Sequence, residues 1–209
     1  MNITSDHLLD EAQPAFLQGG SDMAVRRLLV IHFTSGRSAR SSIDFWKSPE
    51  AAGASAHIII DRDGTIFQCR PFDRTAGHAG VSRWKDPTNG VRSGCNAFSI
   101  GIELANAGDS VEGSLDAPMA FGDTPCEAIR AKHKNGGPLT LWEKYPQAQL
   151  DACFALAKAL VERYNLDDVV GHEDIAPERK NDPGPAFPMQ ELRESVGFEG
   201  LPKVNQPGG

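Results

Sequence analysis

The sequence predicts an α/β domain in which a mixed β-sheet is flanked by helices. Three observations carry that expectation: short apolar runs of strand length recur between turn signals, one long segment bears an apolar stripe at helical spacing, and the two kinds of segment alternate along the chain. At 209 residues the chain lies within the range of a single domain and is long enough to bury a core.

Residues 1–23 read as an irregular leader with one short helix, and the domain proper is expected over residues 24–209. Residues 26–33 (RRLLVIHF) form an apolar run rich in Leu, Val and Ile, the pattern of a buried strand. Ser41 followed by Asp44 resembles a capping box, opening a short helix that passes Trp46 and closes at Ser48-Pro49. Residues 56–60 (AHIII) give a second strand. Asp61-Arg62-Asp63-Gly64 is a turn, because Asp-Gly accepts positive φ, and residues 65–69 return as the hairpin partner. Residues 71–93, rich in Gly, Pro and Asn, read as a loop. In residues 98–104 (FSIGIEL), Ile100 and Ile102 fall on one strand face, and Ser99, Gly101 and Glu103 on the other.

Residues 105–145 are the least regular part and are expected as a long variable loop, a length that in compact domains marks function or motion. Pro146 then starts the clearest helix. Leu150, Cys153, Phe154, Ala157, Leu160, Val161 and Tyr164 recur at spacings of three and four, a stripe that should lie against the sheet. Asp168-Val169-Val170-Gly171 is a last short strand. It leads into a Pro-rich loop, and a final helix follows from about Pro188.

A formal net charge of −7 argues against a general nucleic-acid binder, which carries a basic face. No apolar stretch approaches a membrane span, and the N-terminus lacks the basic start and apolar run of a secretory signal, so a cytoplasmic protein is expected. Cys69, Cys95, Cys126 and Cys153 are scattered with no CxxC pair, which fits reduced thiols better than a disulfide framework.

Three polar residues sit where core logic prefers apolar ones. His32 ends a buried strand, and His172 and Asp182 flank the Pro-rich loop. Two imidazoles and a carboxylate are the donors expected of a catalytic zinc with a fourth position for water. A hydrogen-bonded core histidine and a loop-bracing His–Asp pair explain the same residues individually. Glu103 is a carboxylate on the polar face of an apolar strand, suited to serve as a general base or to sit in an edge ion pair. Lys180, if its loop is extended, points to the same cavity, where an ammonium would stabilise an oxyanion; otherwise it is solvated surface.

The segments Val30-Ile31-His32-Phe33-Thr34, Ser55-Ala56-His57, Ala76-Gly77-His78-Ala79-Gly80, residues 96–104 (NAFSIGIEL) and residues 171–187 resemble, in order, the N-acetylmuramoyl-L-alanine amidases of the type-2 amidase group, which share the peptidoglycan recognition protein fold. The last segment, GHEDIAPERKNDPGPAF, is the most specific. It looks like the AmpD-like branch, cytoplasmic amidases that recycle 1,6-anhydro-muropeptides. The resemblance implies that His32, His172 and Asp182 bind one Zn2+ ion, that Glu103 is the catalytic acid/base, and that Lys180 stabilises the oxyanion. It also implies that Arg179 and Asn96 help to hold the peptide carboxylates and sugar of a muropeptide substrate. His57 and His78 match family motifs near the cleft and are expected around the site rather than on the metal. Gly77 stands where the family usually has a large aromatic residue, and Thr75 where an arginine is common. The implied reaction is hydrolysis of the amide between the lactyl group of (1,6-anhydro)MurNAc and L-Ala, by a monomer without nucleic-acid or membrane partners. Two rival readings are a peptidoglycan-binding module without activity and an amidase that cuts intact cell wall. A zinc peptidase of another fold lacks support, since no HExxH occurs.

Overall fold

The computed structural model describes residues 1–88 and 90–200, so residues 201–209 of the expected domain lie outside the described residues. In chain order the strands and helices are β1 (Gln13–Pro14), β2 (Leu28–Phe33), α1 (Ala39–Trp46), β3 (Ile58–Ile60), β4 (Ile66–Gln68), β5 (Arg83–Asp86), β6 (Gly90–Ser93), β7 (Ser99–Leu104), β8 (Val111–Ser114), β9 (Ala117–Ala120), β10 (Thr124–Pro125), β11 (Ala128–Lys132), β12 (Leu139–Glu143), α2 (Gln147–Tyr164), β13 (Asp168–Gly171), α3 (His172–Ile175) and α4 (Met189–Ser195).

Six strands form the central sheet in the order β1-β4-β3-β7-β2-β13. β3, β7, β2 and β13 run parallel, while β4 returns antiparallel to β3 and β1 lies parallel to β4. The sheet is therefore mixed, as expected. A parallel strand covered on both faces reads as a continuous apolar run, and β2 (LLVIHF) is buried throughout. Alternation divides its side chains between two layers. Leu29, Ile31 and Phe33 join Ile58, Ile60, Ile100, Ile102, Leu104 and Val169 in the main core, against Cys153, Leu156, Ala157 and Leu160 of α2. The predicted stripe of α2 thus does pack on the sheet. Leu28 and Val30 belong to a separate cluster with Trp84, Val170 and Ile175. Gln149 ties α2 to the sheet, its Nε2 donating to the carbonyls of Ile60 (3.0 Å) and Ala105 (3.1 Å).

Several local expectations need correction. Helix α1 is capped by Ser38, not Ser41. Ser38 is extended, its Oγ accepts from the Ser41 amide at 3.1 Å, and the Ser41 hydroxyl closes the box. A serine-rich run offers several possible starts, and the buried positions Ala39 and Ile43 select this one. Residues 1–23 contain no helix. They dock on the domain instead, adding the edge strand β1, burying Leu9 and Met23 in the core, and engaging Arg70 and Arg74 through Gln18 and Asp22. The expected loop at 71–93 contains the hairpin β5–β6.

Residues 105–145 are not one long loop. Strands β8–β10 form a three-stranded sheet and β11–β12 a hairpin, around a small apolar cluster of Ala107, Val111, Ala120 and Leu141. Strands this short, separated by Gly- and Asp-containing turns, fall below the window in which hydrophobic periodicity is visible. All four cysteines are free. No helix among the described residues is long and apolar enough to cross a membrane.

Candidate active site

The four parallel strands end on the same side of the sheet, and the polar residues collect there. His32, one residue from the end of β2, lies directly across from Glu103 of β7, whose other neighbour is Ile59 of β3. β13 ends with Gly171 beside Ile31, so His172, the first residue of α3, comes up next to His32. The following loop turns back and brings in Asp182. Its carbonyl accepts from the Glu173 amide at 2.8 Å, and the Tyr145 hydroxyl donates to the Pro183 carbonyl at 2.7 Å.

His32, His172 and Asp182 meet as a buried triad. His32 Nδ1 lies 2.9 Å from His172 Nδ1 and 2.9 Å from Asp182 Oδ2, and His172 Nδ1 lies 3.0 Å from the same oxygen. The second nitrogen of His172 shows what these atoms carry. His172 Nε2 is 3.1 Å from the Ala79 carbonyl, which can only accept, so Nε2 bears the hydrogen. Arg179 Nη2 stands nearby but donates to the carbonyls of Ala79 and Val81, both at 2.9 Å. With Nε2 so engaged, His172 can turn its Nδ1 lone pair toward His32 Nδ1 and Asp182 Oδ2. With both Nδ1 atoms unprotonated, the three atoms would turn lone pairs toward one point, an arrangement that a cation between them would stabilise. Their separations approach the ~3.3 Å edge of a tetrahedron with bonds of about 2.0 Å, the geometry of zinc. Among the described residues this is the one group of three that could hold a metal ion.

The electrostatics agree. Burial, then the neighbouring His172, lowers the His32 pKa to about 4, which favours the neutral ligand form. Burial alone would raise the Asp182 carboxyl, but hydrogen bonds and positive charge from His172 and His32, contacts that a bound cation would replace, hold it well below the usual carboxylate range. Glu103 behaves oppositely. Burial, then the charge of Asp182, pushes its carboxyl well above the ordinary value, while the Lys180 ammonium opposes the rise. Its Oε2 is shielded and has no hydrogen-bond partner, an arrangement that is costly unless the group works at a site. Lys180 is half-buried, and its charge reaches both Glu103 and His32.

Asn96 and Arg179 converge on one piece of backbone. Asn96 Oδ1 accepts from the Ala79 amide at 2.7 Å, and Arg179 holds the Ala79 and Val81 carbonyls. Both residues shape the segment that borders His172. Gly77 has a steric reason to be glycine in this chain: a Cβ there would lie 2.5 Å from the Gly53 carbonyl oxygen. An aromatic residue at this position would require the turn around residue 53 to move.

His57 is fully buried and uses both ring nitrogens. Nδ1 accepts from the Gly101 amide at 3.0 Å, and Nε2 donates to the Arg74 carbonyl at 2.8 Å. Only the neutral ring satisfies both, and burial lowers its pKa to about 4. Because the unfolded value is near 6.5, the unfolded chain binds more protons between those two pH values. Stability is thus expected to fall as pH drops from about 6.5 to 4, by on the order of 3 kcal/mol from this group. Denaturant unfolding measured across that window checks this, and a flat unfolding free energy would sink the neutral assignment.

One group of residues escaped the sequence reading. Glu173, next to His172, accepts from His133 Nε2 at 2.6 Å and from the Gly184 amide at 3.1 Å, and pairs with Lys134 at 2.7 Å. Lys134 also reaches Asp174 at 2.7 Å, and Asn135 Nδ2 donates to the Glu173 carbonyl at 2.9 Å. The β11–β12 turn therefore braces the loop that carries two members of the triad. Nothing in the spacing of His133 and Glu173 signals this contact, which exists only in the folded chain.

Residues 21–185 match the family model described as N-acetylmuramoyl-L-alanine amidase. The chain is 38% identical over 135 residues to the 1,6-anhydro-N-acetylmuramyl-L-alanine amidase AmpD of Enterobacter cloacae, a match that covers 64% of this chain and 52% of that protein. Among solved structures it is similar to an AmpD crystal structure, with a TM-score of 0.63 at 31% identity, over 94% of this chain and 99% of that one. It is also similar to the N-acetylmuramyl-L-alanine amidase AmiD from E. coli, solved in complex with the substrate anhydro-N-acetylmuramic acid-L-Ala-D-γ-Glu-L-Lys. That match has a TM-score of 0.63 at 30% identity and covers 90% of this chain and 63% of the other. The aligned region spans about half the length of the first curated relative, 52%.

Proposed function

The chain belongs to the N-acetylmuramoyl-L-alanine amidase family and has the mixed α/β, peptidoglycan-recognition-type fold of its AmpD and AmiD members, and from that membership we propose that it is a zinc amidase acting on 1,6-anhydro-muropeptides. The bond cut is the amide between the lactyl group of the muramic acid and the L-alanine of the stem peptide. One observation carries the reading: a buried His32–His172–Asp182 cluster of converging donors stands beside a carboxylate, Glu103, whose shielded oxygen has no partner.

His32, His172 and Asp182 would hold the ion. When bound, zinc supplies Lewis acidity, lowering the pKa of water toward ~7 and polarising an amide carbonyl. Glu103 is suited to take the proton of the attacking water and return it to the alanine nitrogen as that amine leaves. Burial and the charge of Asp182 raise its affinity for a proton, and the Lys180 ammonium opposes that rise. Lys180, whose charge reaches Glu103 and His32, would supply positive charge to the oxygen that becomes anionic. Arg179 and Asn96 shape the rim at residues 79–81, and we assign that rim to the muropeptide's carboxylates and sugar.

The name of the first curated relative and the substrate bound in the AmiD complex both specify the anhydro sugar, which favours anhydro-muropeptide fragments over intact wall; a recycling role in the cytoplasm is part of the proposal. The test is to incubate the purified chain with anhydro-muropeptides and, separately, with sacculi, each with and without a zinc chelator. Chelator-sensitive release of free stem peptide from the anhydro-muropeptides is expected. Release from sacculi alone would shift the substrate to intact wall, and no release from either would remove the amidase reading. Lys180→Ala is expected to lower kcat about 10²–10³-fold with zinc content unchanged. An unaltered kcat would exclude Lys180 from the oxyanion role.

A further inference from the structure

We propose that His78 is a positioning residue for the metal site: through a directed chain of hydrogen bonds it compels His32 to present a bare Nδ1 to the ion. The inference rests on the zinc reading above and adds to it a residue outside the ligand set.

The chain can be followed from its far end, where each step leaves no choice for the next. Ser99 Oγ lies 2.6 Å from the Cys95 carbonyl, and its single hydrogen is donated there. Toward His78, Ser99 therefore offers only lone pairs, from Oγ at 3.2 Å and from its carbonyl at 3.4 Å. His78 Nε2 must carry the hydrogen. In the neutral ring this leaves Nδ1 as an acceptor, and it lies 2.9 Å from His32 Nε2. His32 Nε2 is then the donor, and its Nδ1 turns a lone pair toward His172 and Asp182. The terminal backbone carbonyl sets the direction of the whole chain, since a carbonyl cannot donate.

The fold makes room for this arrangement at a specific cost. His78 is buried and meets His32 edge-on, with ring planes at 83°. It packs over β7 at Gly101, where any Cβ would stand 2.6 Å from His78 Cγ and 2.7 Å from Nδ1. The strand interior is thus stripped of its side chain at the one place where the imidazole lies. A ring present only to fill space would need neither the serine behind it nor the aligned nitrogen in front. Partners that orient a ligating histidine in this manner typically contribute 10–100-fold in metal affinity.

Three substitutions separate orientation from filling. Asn places its carbonyl oxygen near the former Nδ1 position and can still accept from His32. Gln carries its polar end toward Ser99 and cannot. Leu removes both contacts. Zinc affinity, measured by competition with a chromophoric chelator on the full chain, is expected to fall about 10–100-fold in His78→Leu. His78→Gln should resemble the Leu variant, whereas His78→Asn should stay close to wild type. A role in packing alone predicts no such order between the two amides. Should the Leu variant fail to fold, the order of Asn and Gln decides the matter. Wild-type affinity in His78→Leu, or equal affinities in the two amide variants, would overturn the proposal while leaving the zinc reading intact. A wild-type chain that takes up no zinc would instead remove the metal reading, and this relay with it.

Discussion

Replacing Glu103 by Gln is expected to leave zinc bound and to reduce amide hydrolysis by about 10²–10⁴-fold. The two halves of that result have separate physical origins. Glu103 stands on β7 directly across from His32, but it is not one of the three converging donors. The isosteric amide therefore removes no ligand, and by abolishing a carboxylate in a shielded position it relieves repulsion with Asp182, which helps to raise the Glu103 pKa. What the amide cannot do is accept a proton. Zinc content by elemental analysis and turnover of an anhydro-muropeptide, measured on the same preparation, check both halves. Near wild-type turnover would show that Glu103 is not the base. Loss of zinc would show that it belongs among the ligands.

Asp182→Asn should have the opposite profile. Asp182 supplies the only negative charge among the three donors, and its contacts with His172 and His32 keep it ionised despite burial. Without that charge the site offers a dication three neutral groups, and zinc affinity is expected to fall by at least about 100-fold, at or beyond the upper end for loss of an outer partner. The effect extends to stability. A ligand at 1,000 times its Kd stabilises the folded state by about 4 kcal/mol and at 10 times its Kd by only about 1.4 kcal/mol, so chelation should lower the melting temperature of the wild-type chain far more than that of the Asn variant. Equal chelator sensitivity in the two proteins would exclude Asp182 from the metal.

How far the sequence reached can be judged from single residues. α2 was legible because five turns of one helix repeat the same apolar stripe, and a long periodic signal survives local noise. β2, β7 and β13 were legible as short apolar runs, and the polar face of β7 announced Glu103. The hairpins in residues 71–93 and 105–145 were not, because strands of two to five residues never establish a period. Ser38 took the cap expected of Ser41 because burial of Ala39 and Ile43, rather than the local motif, chose the register of α1.

For the site the division is similar. The sequence by itself determined the fold class, through apolar runs and one helical stripe, whereas His32, Glu103, His172, Lys180 and Asp182 stood out as candidates through the family resemblance of the local segments that carry them. Tertiary structure alone decided that His32 Nδ1, His172 Nδ1 and Asp182 Oδ2 converge on one point, since the strand order β7-β2-β13 and the returning loop bring them together. It also decided the supporting cast. Ser99 reaches His32 only through His78, and His133 reaches the loop between His172 and Asp182 only because the β11–β12 turn lands on Glu173. Hydrogen-bond direction and ligand geometry depend on where nitrogens and oxygens meet in space, and residues 10 to 150 positions apart in the chain carry no trace of that meeting until the fold brings them together.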